Sequence, residues 1–163
     1  MLPFEMKNLF FLLLICTGLA SCQTIDLYEK NVPIPGHQWQ SSFKPEFSFS
    51  IKDTSSPYQL YIVLRHNEKY NWNNLWVNLE AQMPGTEKQI FKLELPLATN
   101  DKGWLGIAMD DLYEHRIPLL LDPEKFNFRR AGDYHFTIQH IMREDPLQHV
   151  MNIGLRIEKK PAQ

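Results

Sequence analysis

The chain has 163 residues, a formal net charge of −2, 44% hydrophobic residues and two cysteines. A charge this close to balance gives no reason to expect a nucleic-acid partner, because nucleic acids select strongly basic surfaces. Beyond an apolar leader and a linker, about 125 residues remain, which is enough for one domain that buries roughly two-thirds of its unfolded surface. The composition therefore favours a single globular domain with protein or sugar partners.

Residues 1–21 have the pattern of a signal peptide that is removed during export. A basic start at Lys7 precedes an apolar run over 9–15, and residues 19–21, Leu-Ala-Ser, lead directly into Cys22. The run is too short for a transmembrane helix, which needs roughly 20 apolar residues. Leucine, a small residue, serine and cysteine in this order are typical of bacterial lipoproteins. We therefore expect a covalent lipid on Cys22, which becomes the mature N-terminus, and no other cofactor.

The position of the cysteines has a second consequence. Cys16 leaves with the signal and Cys22 carries lipid, so the mature domain has no thiol for a disulfide, a metal or a nucleophile. Residues 22–38 are predicted to be the lipidated N-terminus and a spacer, because two prolines near its end favour a polyproline-like path. At roughly 3.3 Å per residue the spacer could reach about 50 Å. Its apolar residues leave open that part of it packs as an edge strand.

From residue 39 to residue 163 the dominant hydrophobic period is two. Alternation of this kind is typical of strands with one face in a core and one face toward water. Turn residues separate the runs, as in antiparallel sandwiches. We predict an all-β domain, an antiparallel two-sheet β-sandwich of jelly-roll or immunoglobulin-like type with about eight strands. The alternating runs cover residues 43–51, 58–65, 75–80, 91–95, 133–142 and 151–158.

Three shorter features refine this prediction. Gly132 followed by Tyr134 resembles the tyrosine corner of immunoglobulin-like sandwiches, although a plain turn would also fit. Residues 110–114 and 122–125 could each form one helical turn, the second capped by Asp122.

The densest candidate for function is the segment over 103–118, in which glycines flank Trp104 and its neighbour. An enzymatic interpretation uses Asp110 or Glu114 as general base with His115 as its partner. No serine or cysteine nucleophile lies in a recognisable motif nearby, so we favour a structural ion pair of Arg116 with Asp110 or Asp111. Binding of a ligand or partner by Trp104, Asp110, Asp111, Glu114, His115 and Arg116 is the second interpretation.

Residues 70–76 form an aromatic cluster in which Trp72 and Trp76 lie beside asparagines. Indole rings next to amide side chains could stack on sugars and bond their hydroxyls. They suit a protein interface equally well, since large aromatic side chains are the usual anchors there. The third alternative is that both rings only cover the sheet at a hairpin.

The six histidines do not indicate a metal site. His135 and His140 are an odd number of residues apart, so on one strand they face opposite sides. His66, His115 and His149 fall in separate runs, and no pair has the close spacing of a zinc site.

Five features along most of the chain form a specific combination. They are the signal that ends at Cys22, the Gly-Trp-Leu-Gly motif over 103–106, the segment 111–119, the motif over 131–136 and the closing run over 150–157. Together they resemble the GldH family, the gliding-motility lipoproteins of Bacteroidetes. Family members often carry Gly-Leu-Gly-Asp where this chain has Ile-Ala-Met-Asp-Asp over 107–111.

The resemblance implies an outer-membrane lipoprotein, facing the periplasm, that supports the gliding machinery linked to type IX secretion. It implies binding to other envelope proteins and no enzymatic activity, and it carries over one functional residue, the lipidation site Cys22. The alternative function is a carbohydrate-binding module on envelope or imported glycan.

Overall fold

The computed structural model describes residues 27–160, so the signal peptide and Cys22 lie outside the described residues. A 3₁₀ turn, Pro35–His37, follows the first strand, and no helix between residues 27 and 160 is long and apolar enough to cross a membrane. The strands are β1 Leu27–Pro33, β2 Gln38–Trp39, β3 Glu46–Ile51, β4 Tyr58–Asn67, β5 Asn74–Gln82, β6 Gln89–Pro96, β7 Ala98–Thr99, β8 Gly103–Trp104, β9 Ile107–Met109, β10 Leu112–Pro118, β11 Gly132–His140, β12 Leu147–Gln148 and β13 Val150–Lys159.

Two antiparallel sheets make up the β-sandwich that the alternation predicts. The larger sheet has the order β1-β13-β4-β10-β9, and the smaller has the order β3-β11-β5-β6. The two-residue strands pair as β12-β2 and β7-β8 and close the loops beside them. The expected all-β, two-sheet fold is therefore confirmed.

The core lies between the sheets, where the apolar parity of each strand points inward. On β4 the side chains of Leu60, Ile62 and Leu64 are buried, and on β11 those of Phe136 and Ile138 are buried. Side chains of both sheets belong to one continuous apolar cluster. This is the arrangement expected when period-two alternation buries one face of each sheet.

For part of residues 22–38, the structure shows the edge strand that the sequence had left open as the alternative to a spacer. Leu27–Pro33 is the edge strand β1, paired with β13 from Leu27 opposite Glu158 to Pro33 opposite Asn152. Only four residues therefore separate Cys22 from the sheet. At roughly 3.3 Å per residue they bridge about 17 Å, in place of the 50 Å that a longer spacer would allow.

Two of the local features are confirmed and one is wrong. The Tyr134 hydroxyl donates to the carbonyl oxygen of Arg130 at 2.9 Å, which is the hydrogen bond of a tyrosine corner. The Asp122 carboxylate accepts from the Glu124 amide at 3.0 Å and caps a single turn. Residues 110–114 form no helical turn, because Asp110 lies in a tight turn that leads into strand β10.

The sandwich has two ends with different loops. The Leu27 end contains the segments 52–57, 83–88, 119–131 and 159–160. The Asp110 end contains the segments 40–45, 68–73, 97–106, 110–111 and 141–149. This division follows from the register, since Leu27, Lys159 and Tyr58 end or begin neighbouring strands on one side.

Candidate functional site

The segment 103–118 contains the short strand β8 and the hairpin of β9 and β10. The hairpin lies at the edge of the larger sheet. Met109 of β9 lies opposite Leu112 of β10, so Asp110 and Asp111 form a two-residue loop between them. Asp110 has φ of +57°, a left-handed conformation that aspartate tolerates better than most residues. The chain thus makes the tight turn without the glycines that family members often carry there.

The outward face of β10 carries an ion cluster around Glu114. The Glu114 carboxylate accepts from Arg65 Nη2 at 2.6 Å, and from Arg116 Nε at 2.9 Å. Burial alone would raise the pKa of Glu114, but the hydrogen bonds from the two guanidinium groups outweigh it and hold the pKa below its usual range. The expected pairing of Arg116 with Asp110 or Asp111 is wrong, because both aspartates are exposed at the turn.

A second ion cluster lies on the same outward face, on β1 and β13. Arg156 pairs with Glu29 and, at 2.5 Å, with Glu158. The charge of Arg116 acts on Glu29 as well, which links the two clusters. On the outer surface of the larger sheet, acidic and basic side chains therefore alternate around the buried side chain of Val63.

The inward face of β10 carries a buried histidine pair. His115 Nε2 lies 2.9 Å from His66 Nε2, and His66 Nδ1 lies 2.8 Å from the carbonyl oxygen of Asn67. The carbonyl can only accept, so His66 Nδ1 donates to it, and His66 Nε2 accepts from His115 Nε2–H. Desolvation, with a smaller contribution from the charge of His66, lowers the pKa of His115 to about 4. Desolvation also lowers the pKa of His66, so the pair is neutral at pH 7.

Aromatic rings enclose this pair. The ring of Trp104 lies 4.4 Å from that of His66 between centroids, and the rings of Tyr70 and Tyr113 lie at 5.0 and 5.6 Å. Gly106 passes so close that a Cβ there would lie 2.8 Å from His115 Nε2. The Gly-Trp-Leu-Gly motif therefore packs against the histidines and does not line an open pocket.

The geometry does not bring a general base and its histidine partner together. Glu114 and His115 are neighbours on one strand, so their side chains face opposite sides of the sheet. Asp110 lies on the solvent side of the turn. Within residues 27–160, moreover, no three His, Cys, Asp or Glu side chains gather closely enough to hold a metal ion.

The three tryptophans proposed for binding lie on different surfaces. Trp72 is 39% exposed in the loop after β4, where its Nε1 donates to Glu144 at 2.7 Å. Trp76 lies on the outer face of the smaller sheet with Lys92 Nζ 5.2 Å from its ring centroid. Trp104 packs against His66 with the two ring planes tilted by 58°. The three rings do not build a common platform for a sugar.

An apolar edge is the feature that sequence reasoning missed. Leu105, Ile107 and Met109 alternate along the chain, and they are 45%, 67% and 49% exposed. Strand β9 is an outer strand of the larger sheet, so among residues 27–160 no strand pairs with the other side of its backbone. The apolar alternation over 105–109 indicates this edge in the sequence. The candidate residues, however, were selected for polar or aromatic side chains, which the edge lacks.

Arg65 and His66 are the other functional-site residues that were missed. His66 has the parity of the buried Leu60, Ile62 and Leu64 on β4, so extending the alternation by two residues would have placed it in the core. Arg65 has the outward parity. Their pairing with β10 depends on the register of two strands far apart in sequence, which alternation does not encode.

Comparison with known proteins assigns this small all-β domain to a class of lipoproteins. The model of the family described as GldH lipoprotein matches residues 26–157. The chain is 28% identical over 147 residues to the gliding motility lipoprotein GldH homolog of Christiangramia forsetii, a match that covers 86% of this chain and 88% of that protein. It is 26% identical over 163 residues to the gliding motility lipoprotein GldH of Flavobacterium johnsoniae, which covers 96% of this chain and 99% of that protein.

The chain belongs to the GldH family of gliding-motility lipoproteins, because the family model spans more than half of it. The resemblance inferred from the sequence motifs is therefore confirmed. A solved structure of infectious bursal disease virus, Gx strain, is similar with a TM-score of 0.21 and 10% identity over 83% of this chain and 37% of that one. A similarity this slight carries no argument about fold or function.

Proposed function

We propose that this protein is an outer-membrane lipoprotein, acylated on Cys22 and facing the periplasm, that stabilises the gliding machinery linked to type IX secretion. It acts without catalysis, by binding other envelope proteins. Family membership supports the link to gliding motility, and the lipoprotein signal before Cys22 supports the anchor.

The observation that carries the binding role is the apolar edge of β9. Leu105, Ile107 and Met109 expose large apolar side chains on or just before a strand that has no partner on its outer side within residues 27–160. Soluble proteins usually shorten or charge their edge strands, because exposed edges invite pairing; β9 is short, with three residues, but none of them is charged. A partner strand added here would gain main-chain hydrogen bonds and apolar contacts at once.

The charges beside the edge give the contact its specificity. Asp110 and Asp111 end the hairpin, and Arg116 lies 47% exposed on the adjoining strand. Charged side chains at the rim of an apolar patch steer association and exclude wrong partners more than they add affinity. Of the residues proposed from the sequence, these three and Trp72 are accessible, whereas Glu114 and His115 hold the strand in place.

Site-specific photo-crosslinking in the native cells tests the proposal. A photoreactive amino acid at Ile107 should give covalent adducts with gliding or secretion components, identified by mass spectrometry. The same residue at Ile90, which is 64% exposed on the edge strand of the other sheet, is the matched control and should not give these adducts. Recovery of no gliding or secretion component from position 107 would contradict the proposal.

The anchor has its own test. Mass spectrometry of the mature wild-type protein should find acyl groups on an N-terminal Cys22. The Cys22→Ser variant should lose them and should leave the membrane fraction. A mature protein without acyl groups would overturn this part of the proposal, whatever the crosslinking shows.

A further inference from the structure

The two ends of the sandwich differ in charge. The segments of the Leu27 end carry seven basic side chains against four acidic ones, whereas those of the Asp110 end carry four basic side chains against six acidic ones. The basic side chains of the Leu27 end are Lys52, Lys88, Lys125, Arg129, Arg130, Lys159 and Lys160. Since the whole chain is close to neutral, the asymmetry arises from where the fold places these residues.

The Leu27 end also carries the most exposed large apolar side chain in residues 28–160. Leu120 is 89% exposed, while its neighbour Leu119 is 8% exposed. The Leu119 amide donates to the carbonyl oxygen of Leu60 at 2.8 Å, and Gln59 Nε2 donates to the carbonyl oxygen of Leu119 at 2.9 Å. These bonds fix the backbone next to Leu120, so the fold itself directs this leucine toward solvent.

The rest of the segment 119–131 is held as firmly. Phe126 is buried, its ring 5.5 Å from that of Phe136, and Phe128 lies 5.1 Å from Tyr134. Phe126 is therefore inside and Phe128 is half-buried, whereas Arg129 and Arg130 remain exposed at the surface. An open groove of about 490 Å³ runs between this segment and the segment 52–57, with Leu120, Arg129 and Lys160 among its lining residues.

The length of chain before the sheet fixes where this end lies. Four residues separate Cys22 from Leu27, and they bridge about 17 Å when fully extended. If Cys22 carries lipid in the bilayer, Leu27 stays within that distance of the headgroups. Leu119 is bonded to β4, two strands from β1, and strands are about 4.8 Å apart. Leu120 and the arginines therefore lie at the same end as the tether.

We propose that the Leu27 end docks directly on the bilayer that holds the lipid anchor, with Leu120 entering the hydrocarbon boundary and the basic side chains contacting anionic phospholipid headgroups. The inference rests on the proposed acylation of Cys22. An apolar side chain together with clustered lysines and arginines is the combination that binds anionic membrane surfaces. Docking holds the sandwich upright, so that the β9 edge at the other end points away from the membrane toward a partner.

The test uses the mature protein, purified from the membranes of the native cells and mixed with phospholipid vesicles. With Cys22 blocked by lipid and Cys16 removed with the signal, a cysteine introduced at residue 120 is the single reactive thiol. Leu120→Cys and the matched control Met109→Cys, exposed at the Asp110 end, each receive a nitroxide label. Collision of the label with oxygen, which concentrates in lipid, is compared with collision with a water-soluble nickel complex.

In vesicles of phosphatidylcholine mixed with phosphatidylglycerol, the ratio of oxygen collisions to nickel collisions is the measured quantity. We expect this ratio to be severalfold higher for the label at residue 120 than for the label at residue 109. The Arg129→Gln, Arg130→Gln double variant should lose most of this preference, as should vesicles of phosphatidylcholine alone. Preference that survives both changes would overturn the role assigned to the basic side chains.

Three other outcomes would overturn the docking itself. A protein that floats with the vesicles while both labels stay equally accessible to nickel is anchored but not docked. A label at 120 that is shielded from both reagents indicates a protein, such as a second copy of this chain, on the surface. A wild-type protein that does not float at all has no anchor, which contradicts the proposed acylation and the docking that depends on it.

Discussion

At the Leu27 end of the sandwich, phenylalanine and tyrosine rings close the core, whereas at the Asp110 end a histidine pair, Trp104 and two tyrosines close it. Phe126 and Phe128 pack at 5.0 Å between ring centroids, and His66 and His115 also stack at 5.0 Å. The distances are alike, but the chemistry is not. Apolar rings are indifferent to pH, and imidazoles are buried only while they remain neutral.

This difference suits the positions of the two ends. The Leu27 end is basic and is proposed to carry the lipid tether, and the Asp110 end is acidic and carries the outer strand β9. The proposed base is therefore closed by apolar rings, and the other end holds polar groups whose protonation depends on pH. The predictions below test whether the two ends differ in this way.

The largest effect is expected from Phe126→Ala at the Leu27 end. The Phe126 side chain is 5% exposed and contacts the rings of Phe91, Phe128 and Phe136. Its loss leaves a cavity and should lower the free energy of unfolding by about 3–5 kcal/mol. Urea denaturation followed by tryptophan fluorescence measures this. Phe43→Ala, at a 37% exposed position, is the control, and an equal loss in both variants would show that ring packing does not hold this end.

The second effect is a pH dependence that originates at the Asp110 end. The pKa of His115 is about 4 in the folded protein against 6.5 normally, so the unfolded chain binds the proton more readily between these values. The free energy of unfolding should have its full value above pH 6.5. It should fall by up to about 3 kcal/mol as the pH drops toward 4. Urea denaturation at a series of pH values checks this.

A matched pair of variants assigns that pH dependence. His115→Asn removes one titrating ring and should weaken the dependence between pH 6.5 and 4, while His66 and His140, whose pKa values burial also lowers, contribute the part that remains. His37→Asn removes an exposed ring and should leave it as in the wild type. Identical slopes in the wild type and in His115→Asn would rule out the buried pair as the cause.

A smaller loss is expected from Gly106→Ala beside the histidine pair. The new Cβ would lie 2.8 Å from both His115 Nε2 and the Glu114 carbonyl oxygen, so the packing must shift. We expect a loss of about 2 kcal/mol in the free energy of unfolding. A double-mutant cycle with His115→Ala should show coupling, because the smaller side chain removes part of the clash. Simple additivity would mean that the histidine ring is not what excludes the methyl group.

The smallest effect is expected on the outer face, from Glu114→Gln. The variant keeps the shape of the side chain and removes the charge between Arg65 and Arg116. Both guanidinium groups remain partly in water, so the free energy of unfolding should fall by only about 1 kcal/mol. Glu80→Gln, which removes a pair with Lys88 at 3.5 Å, should change it by less than about 0.5 kcal/mol. Equal effects would show that the buried position of Glu114 adds nothing.

By itself the sequence determined the local features of this protein. Alternation with period two sets the face of each strand, so the burial of residues such as Leu75, Val77 and Ile138 was predictable without knowing any partner strand. The Gly132–Tyr134 spacing predicted the tyrosine corner, because that hydrogen bond is made within a few residues. The family motifs were also readable, and the family model confirms them.

Only the tertiary structure decided which of these strands meet. The ion pair of Glu114 with Arg65 and the contact of His115 with His66 each join residues 49 positions apart, and they follow from the register of β10 on β4. The same is true of β1, whose hydrogen bonds come from the last strand of the chain. Alternation specifies a face but no partner and no register. The basic and acidic ends, the outer position of β9 and the pairing of residues 27–33 as an edge strand therefore became visible only once long-range pairing assembled the sheets.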